Sequence, residues 1–205
     1  MLKVANLKRQ RKVIAIFGRQ GMGKSTLVKF AVKDCRRMIL IDPMAEYENG
    51  TVVYNREDLY SLVTEENYFR VIFRPMDLDD KQEYKDIDYA ADLALTLGNV
   101  TLVIDEVDNY CNAYYMSNQL RYCIQYGRHY DLSVVVSSRQ ANRIRNDITA
   151  QADYIITFQQ QGKQSLAYLE YFSDSPNINK IIKLDKYYYV FIKGNNSLDI
   201  FQALP

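Results

Sequence analysis

Short uninterrupted apolar runs, most of them closed by glycine, proline or an acidic pair, alternate along the chain with stretches whose apolar positions fall three and four apart. VIAIF (Val13 to Phe17), MILIDP (Met38 to Pro43), YFRVIFRP ending at Pro75, TLVIDE (Thr101 to Glu106), LSVVVSS before Arg139 and YIITF (Tyr154 to Phe158) are apolar with little polar alternation, as strands buried on both faces are. TLVKFAVKD, REDLYSLV and SLAYLEYF have helical spacing. So do the segment that runs from the acidic stretch Asp77 to Asp88 through about Leu97 and the longer one from Asn109 to Tyr126. Gly98 with Asn99, and Gly127, stand where helices stop. TVVYN predicts a further short strand, ANRIRND a polar loop, Gln159 to Gln164 a turn, and KYYYVFIKGNNSLDIFQ a C-terminal β-hairpin turned at Gly194 and Asn195. The alternation predicts an α/β fold. A basic leader, residues 1–12, precedes a single domain, residues 13–205, with a mainly parallel central sheet flanked by helices.

Charge and composition narrow the partners more than the fold. A net charge of +1 does not identify a partner; a protein that coats nucleic acid over a whole face is usually plainly basic, so any DNA contact is expected to be local. Lys3, Lys8, Arg9, Arg11 and Lys12 make the leader a solvated end before they make it a polyanion site. Cys35, Cys111 and Cys123 have neither zinc-site spacing nor the even count of a disulfide framework, and read as buried, reduced thiols of an intracellular protein. No apolar core follows the N-terminal charges, and no run approaches the roughly 18 residues that a membrane span needs, so integral membrane insertion is not expected.

The chemistry is concentrated in GRQGMGKST. Gly18, Arg19, Gln20, Gly21, Met22, Gly23, Lys24, Ser25 and Thr26 fit the P-loop pattern G-x-x-x-x-G-K-[ST], placed between a strand and a helix. Glycines let the backbone N–H groups curl around a phosphate chain, Lys24 meets the β and γ phosphates, and the Ser25 hydroxyl is a ligand for Mg²⁺ at a helix N-terminus that itself favours anions. In TLVIDE a buried strand delivers Asp105 to its carboxyl end, the position of the Walker B aspartate that organises magnesium. Glu106 beside it is placed to orient and deprotonate water. A nucleotide kinase has no need of Glu106; a hydrolase has.

In motif order, the chain from about Val13 to Phe158 resembles the FtsK/HerA superfamily of ring-shaped DNA-pumping ATPases, and within it the compact viral genome-packaging ATPases. GRQGMGKST resembles their Walker A, LVIDE their Walker B, and LIDPMAEY their DPxGEY segment, with Ala45 where glycine is usual. GRHYDLSVVVSSRQ resembles the stretch in which a glycine-arginine pair precedes a strand that ends in a polar sensor residue. The resemblance implies the additional-strand topology of RecA-like folds, in which the Walker A and Walker B strands do not adjoin. It implies ATP and Mg²⁺ as cofactors, a homo-oligomeric ring, hexameric in number, and double-stranded DNA as the moved substrate. It further implies a viral capsid or portal vertex as partner, with the protein in the host cytoplasm or at the virion or procapsid vertex. Arg128 would be an arginine finger acting in trans on a neighbour's ATP, and the sensor would be Arg139, with Gln140 as the alternative.

Arg139, Arg143, Arg145 and Lys163 are candidates to face DNA, although scattered arginines more often make surface ion pairs. Asp42 and Glu46 either cap a loop or contribute to catalysis, and His129 reads as a polar surface residue. The absence of an evident accessory domain favours packaging over chromosome segregation. A cellular or plasmid translocase remains the alternative, and less so a small nucleoside or nucleotide kinase, which should show an arginine-rich lid.

Overall fold

A computed structural model describes residues 11–75, 80–173, 179–194 and 200–203. Lys3, Lys8, Arg9, Asp77 and the hairpin-turn residue Asn195 lie outside the described residues, as do the side chains of residues 80–84. The sheet contains β1 (Val13–Phe17), β2 (Arg37–Ile41), β3 (Thr51–Val53), β4 (Phe69–Phe73), β5 (Thr101–Ile104), β6 (Ser133–Ser138), β7 (Tyr154–Thr157), β8 (Tyr188–Lys193) and β9 (Ile200–Gln202). Its order is β3-β4-β2-β5-β6-β1-β7-β8-β9. Pairings from β3 to β7 are parallel, and β8 and β9 add antiparallel at one side. β6 separates the Walker A strand β1 from the Walker B strand β5, as the resemblance implies.

Each central strand sorts its side chains by parity between two cores. Ile14 and Ile16 of β1, with Met38 and Leu40 of β2, join the core under α1 (Lys24–Val32), which contributes Leu27, Val28 and Val32. Val13, Ala15 and Phe17, with Ile39 and Ile41, face the other core. That side is covered by α2 (Arg56–Glu65), α3 (Asp80–Leu97), α4 (Asn118–Tyr126), α5 (Asn146–Gln151) and α6 (Lys163–Tyr171), through residues such as Leu59, Ala91, Leu120, Ile148 and Leu169. With a core on each face, neither parity of strand residue is free to be polar, which is why the runs read as continuous apolar sequence.

Gly98 and Asn99 end α3 with left-handed φ values of 58° and 49°. The predicted helix from Asn109 to Tyr126 is shorter than its pattern. Val107–Asn109 forms a 3₁₀ turn, and α4 begins only at Asn118, capped by the Ser117 hydroxyl, which accepts from the Leu120 N–H at 3.2 Å. Between them the Asn112 side chain accepts from the N–H groups of Tyr114 and Tyr115, both at 2.9 Å, a local turn that competes with helix. The ANRIRND stretch is likewise more ordered than a loop, holding a 3₁₀ turn at Ala141–Arg143 and the start of α5. TVVYN contributes only Thr51–Val53, because Asn55 caps α2 by accepting from the Asp58 N–H at 2.8 Å. A short helix of 4 residues, α7 (Asn179–Ile182), has no counterpart in the predicted elements. All three cysteines are buried. Among the described residues, no helix is long and apolar enough to cross a membrane.

Candidate active site

The predicted phosphate loop leaves β1 at the carboxyl edge of the parallel strands. The Gly18 N–H bonds the Ser138 carbonyl at 3.2 Å, and Gly21 and Gly23 take left-handed φ values of 77° and 109°. Gly23 is needed twice over: its φ is strained for any L side chain, and a Cβ there would lie 2.7 Å from Cδ1 of Tyr187. Its carbonyl accepts from the Leu27 N–H at 3.0 Å, opening α1 with Lys24 and Ser25 in the first turn.

Asp105 and Glu106 arrive beside this loop on the end of β5. The register pairs Ile104 with Val136 and Ile16 with Ser137, so Ser137 stands between the two Walker strands. Its hydroxyl donates to Asp105 Oδ1 and accepts from the Glu106 N–H at 3.1 Å. Glu106 itself sits in the left-handed region, φ 48° and ψ 51°, an unfavourable conformation that turns its carboxylate back toward the loop. Lys24 Nζ lies 3.4 Å from Glu106 Oε1, and both side chains are nearly sealed from solvent. Arg139 Nε donates to Glu106 Oε2 at 3.0 Å. Burial pushes the Asp105 carboxyl up to about 6; Ser137 and Lys24 oppose the shift, and Glu106 and Glu46 reinforce it.

Lys24, Ser25, Glu46, Glu106, Arg139 and Tyr187 all line one cavity of about 360 Å³. Between the two sensor alternatives, Arg139 is brought into it. Gln140 is not among its lining residues, and its backbone bonds the Ser138 hydroxyl instead. Asp42 has the loop-capping geometry: fully buried, it accepts from the N–H groups of Glu46 and Tyr47 at 2.9 and 3.2 Å and from Arg74 at 2.9 and 2.7 Å. The loop so fixed carries Glu46 to the Ser25 hydroxyl, which donates to it.

Arg128 is elsewhere. It lies in the turn before β6 and pairs with Asp153 at 2.6 Å; Asp153 also accepts from the N–H of Val13, the first residue of β1. That is the opposite edge of the sheet, one strand length or about 13 Å from the phosphate loop at the other end of β1. Arg145 is taken by Asp147 at 2.9 Å and by the Tyr114 carbonyl at 2.8 Å, while Arg143 is exposed.

Among the described residues, no group of three His, Cys, Asp or Glu side chains could hold a metal on its own. A hydroxyl at Ser25 and one carboxylate at Asp105 instead fit a Mg²⁺ that keeps several waters and shares phosphate oxygens. Ser137, Gln160, Lys186 and Tyr187 are participants that motif reading missed. Gln160, buried, donates to the Arg139 carbonyl at 3.1 Å. The paired serines at the end of VVVSS were a visible signal for Ser137. Nothing local marks Lys186 and Tyr187, which reach the site only because β8 folds back beside β7.

A glycine loop, a buried lysine and an acidic pair at the carboxyl edge of a sheet with this strand order define a P-loop nucleoside triphosphatase fold. The chain belongs to the AAA-domain family, which it matches over residues 7–141. Among solved structures it is similar to the genome packaging NTPase B204 from Sulfolobus turreted icosahedral virus 2 in complex with sulfate. The identity is 20%, covering 95% of this chain and 98% of that one, with a TM-score of 0.76. It is also similar to VirB4 of Thermoanaerobacter pseudethanolicus (12% identity, 95% and 89% covered, TM-score 0.63). The pCW3 conjugation coupling protein TcpA is a further likeness (13%, 94% and 60% covered, TM-score 0.61). These are likenesses of fold. No curated protein matches the sequence.

Proposed function

We propose that this chain is a Mg²⁺-dependent ATPase that assembles into a homo-oligomeric ring, a hexamer, and drives double-stranded DNA into a viral capsid. The observation that carries the ATPase reading is the convergence of Lys24, Ser25, Glu106 and Arg139 on one cavity at the carboxyl edge of the parallel strands, with Asp105 buried beside Glu106 and held by Ser137. Packaging is favoured over conjugation because the likeness to B204, a genome packaging NTPase, is stronger (20% identity, TM-score 0.76) than the likeness to the conjugation coupling protein TcpA (13%, TM-score 0.61).

In this reading Lys24 would leave Glu106 for the β and γ phosphates, the loop N–H groups would bind the same oxygens, and Ser25, whose hydroxyl donates to Glu46, would be a ligand for Mg²⁺ together with Asp105. When bound, Mg²⁺ neutralises charge building on the phosphate oxygens. Glu106, released on one side by Lys24 and still oriented by Arg139, takes the proton of the attacking water. Arg128 is too far from the cavity of its own chain to act there; its exposed position supports a role on the ATP of a neighbouring subunit.

Glu106→Gln should bind ATP with affinity close to wild type and lose hydrolysis by at least about a hundredfold. Equal hydrolysis in the variant would overturn the assignment. The same variant, locked with ATP, should hold duplex DNA with an affinity that falls steeply from low to moderate salt and is indifferent to sequence. Salt-independent binding would count against a phosphate-backbone contact.

A further inference from the structure

The cavity has two ends, and the strand order tells them apart. Glu106 follows β5 and Arg139 follows β6, so the groups suited to a terminal phosphoryl lie on one flank of β1 and its loop. A phosphate chain ending there points its nucleoside the other way, across the loop toward β7 and β8. Tyr187, the residue before β8, lines the cavity on that side.

Three features of Tyr187 bear on its role. Its backbone is fastened at both ends: its N–H bonds the Met22 carbonyl of the phosphate loop at 2.9 Å, and its own carbonyl accepts from the Ala203 N–H at 2.7 Å. It takes φ 69°, a conformation that a bulky aromatic residue adopts rarely and at an energetic cost. Yet its ring is only half-buried, against Gly23, where no side chain would fit beside it. The residue lines the cavity, where Lys186 Nζ stands over the ring 4.9 Å from its centroid.

Taking the cavity as a nucleoside triphosphate site, we infer that Tyr187 is the platform on which the nucleobase stacks. Stacking uses the π-face that every base has, so it supplies affinity for the nucleoside without choosing adenine over guanine. The ring recognises the base, and the loop recognises the phosphates.

Calorimetric titration of the full chain with Mg²⁺ and either the ATP analogue AMPPCP or inorganic tripolyphosphate separates the two roles. Tyr187→Ala should weaken AMPPCP about ten- to a hundredfold and leave tripolyphosphate within about twofold, and Tyr187→Phe should leave both unchanged. An equal loss on both ligands would mean that the ring merely props the phosphate loop, and overturns the inference; so does no loss on either. The chain has no tryptophan, so Tyr187→Trp is a single-site reporter that keeps an aromatic ring even if the alanine variant does not fold. Its emission should change with AMPPCP and not with tripolyphosphate, and a silent tryptophan in protein that binds AMPPCP overturns the stack. Wild-type protein that binds neither ligand would instead overturn the triphosphate reading on which the inference rests.

Discussion

Asp105 is the residue of the site that burial strains most. Its carboxyl is raised from 3.8 to about 6, chiefly by burial, so the folded chain holds its proton more tightly than the unfolded chain does. The stability that this contributes is complete below about pH 4 and is lost as pH rises through 6, an amount on the order of 3 kcal/mol. Asp105→Asn removes the titration. Thermal melts of the nucleotide-free variant should show a flatter dependence on pH between 4 and 7 than wild type and a higher Tm at pH 7.5, although the variant should not hydrolyse ATP. A wild-type pH slope retained in the variant would show that Asp105 is not the source. Ser137, which bonds both Asp105 and the Glu106 backbone, accounts for part of how two adjacent acids hold distinct roles.

At the scale of elements, the phosphate loop and the segment before β8 form one unit. Gly23→Ala adds a methyl group at a φ of 109° and into the Tyr187 ring, so it should destabilise the fold by roughly 1–3 kcal/mol and weaken tripolyphosphate as well as nucleotide. Calorimetry and thermal melts would measure both, and unchanged tripolyphosphate affinity would show that the loop tolerates the shift. The loop and the acidic pair were legible in the sequence because each is a contiguous motif at the end of an apolar run, and so were the central strands. The strand order was not. Its additional strand was implied only by resemblance, because β6 inserts between β1 and β5 through pairings that no local pattern specifies. The residues 110–117 deceived the helical pattern for a definite reason. Tyr110 and Cys111 follow Val107 at three and four residues, and Met116 precedes Leu120 by four, all buried, but one Asn112 side chain between them offers the backbone a better partner than the next helical turn. Tyr187 left no trace at all, since its meaning comes from Met22 and Gly23, which are distant in sequence.

For the whole molecule the decisive arrangement is that Glu106, the carboxylate proposed to activate water, and Arg128 lie at opposite ends of the strands of one sheet. The Arg128–Asp153 pair is exposed on the arginine side, and such pairs contribute about 0–1 kcal/mol, so surrendering the arginine to a neighbour costs the subunit little. Arg128→Ala should therefore melt within a few degrees of wild type while losing turnover by a factor on the order of 10³ or more. Mixing it with Glu106→Gln subunits should restore part of the activity, since some junctions then combine an intact Glu106 with an intact Arg128. No recovery at any mixing ratio would remove the finger from Arg128.

Cys111 and Cys123 sit in the core, each 1% exposed, and burial raises both thiols, that of Cys111 to about 12. An alkylating reagent in neutral buffer therefore meets neither sulfur until the domain opens, which makes the pace of labelling a clock for breathing of the fold. With AMPPCP and magnesium present that clock should slow, and a mass spectrometer can read it without any assay of turnover.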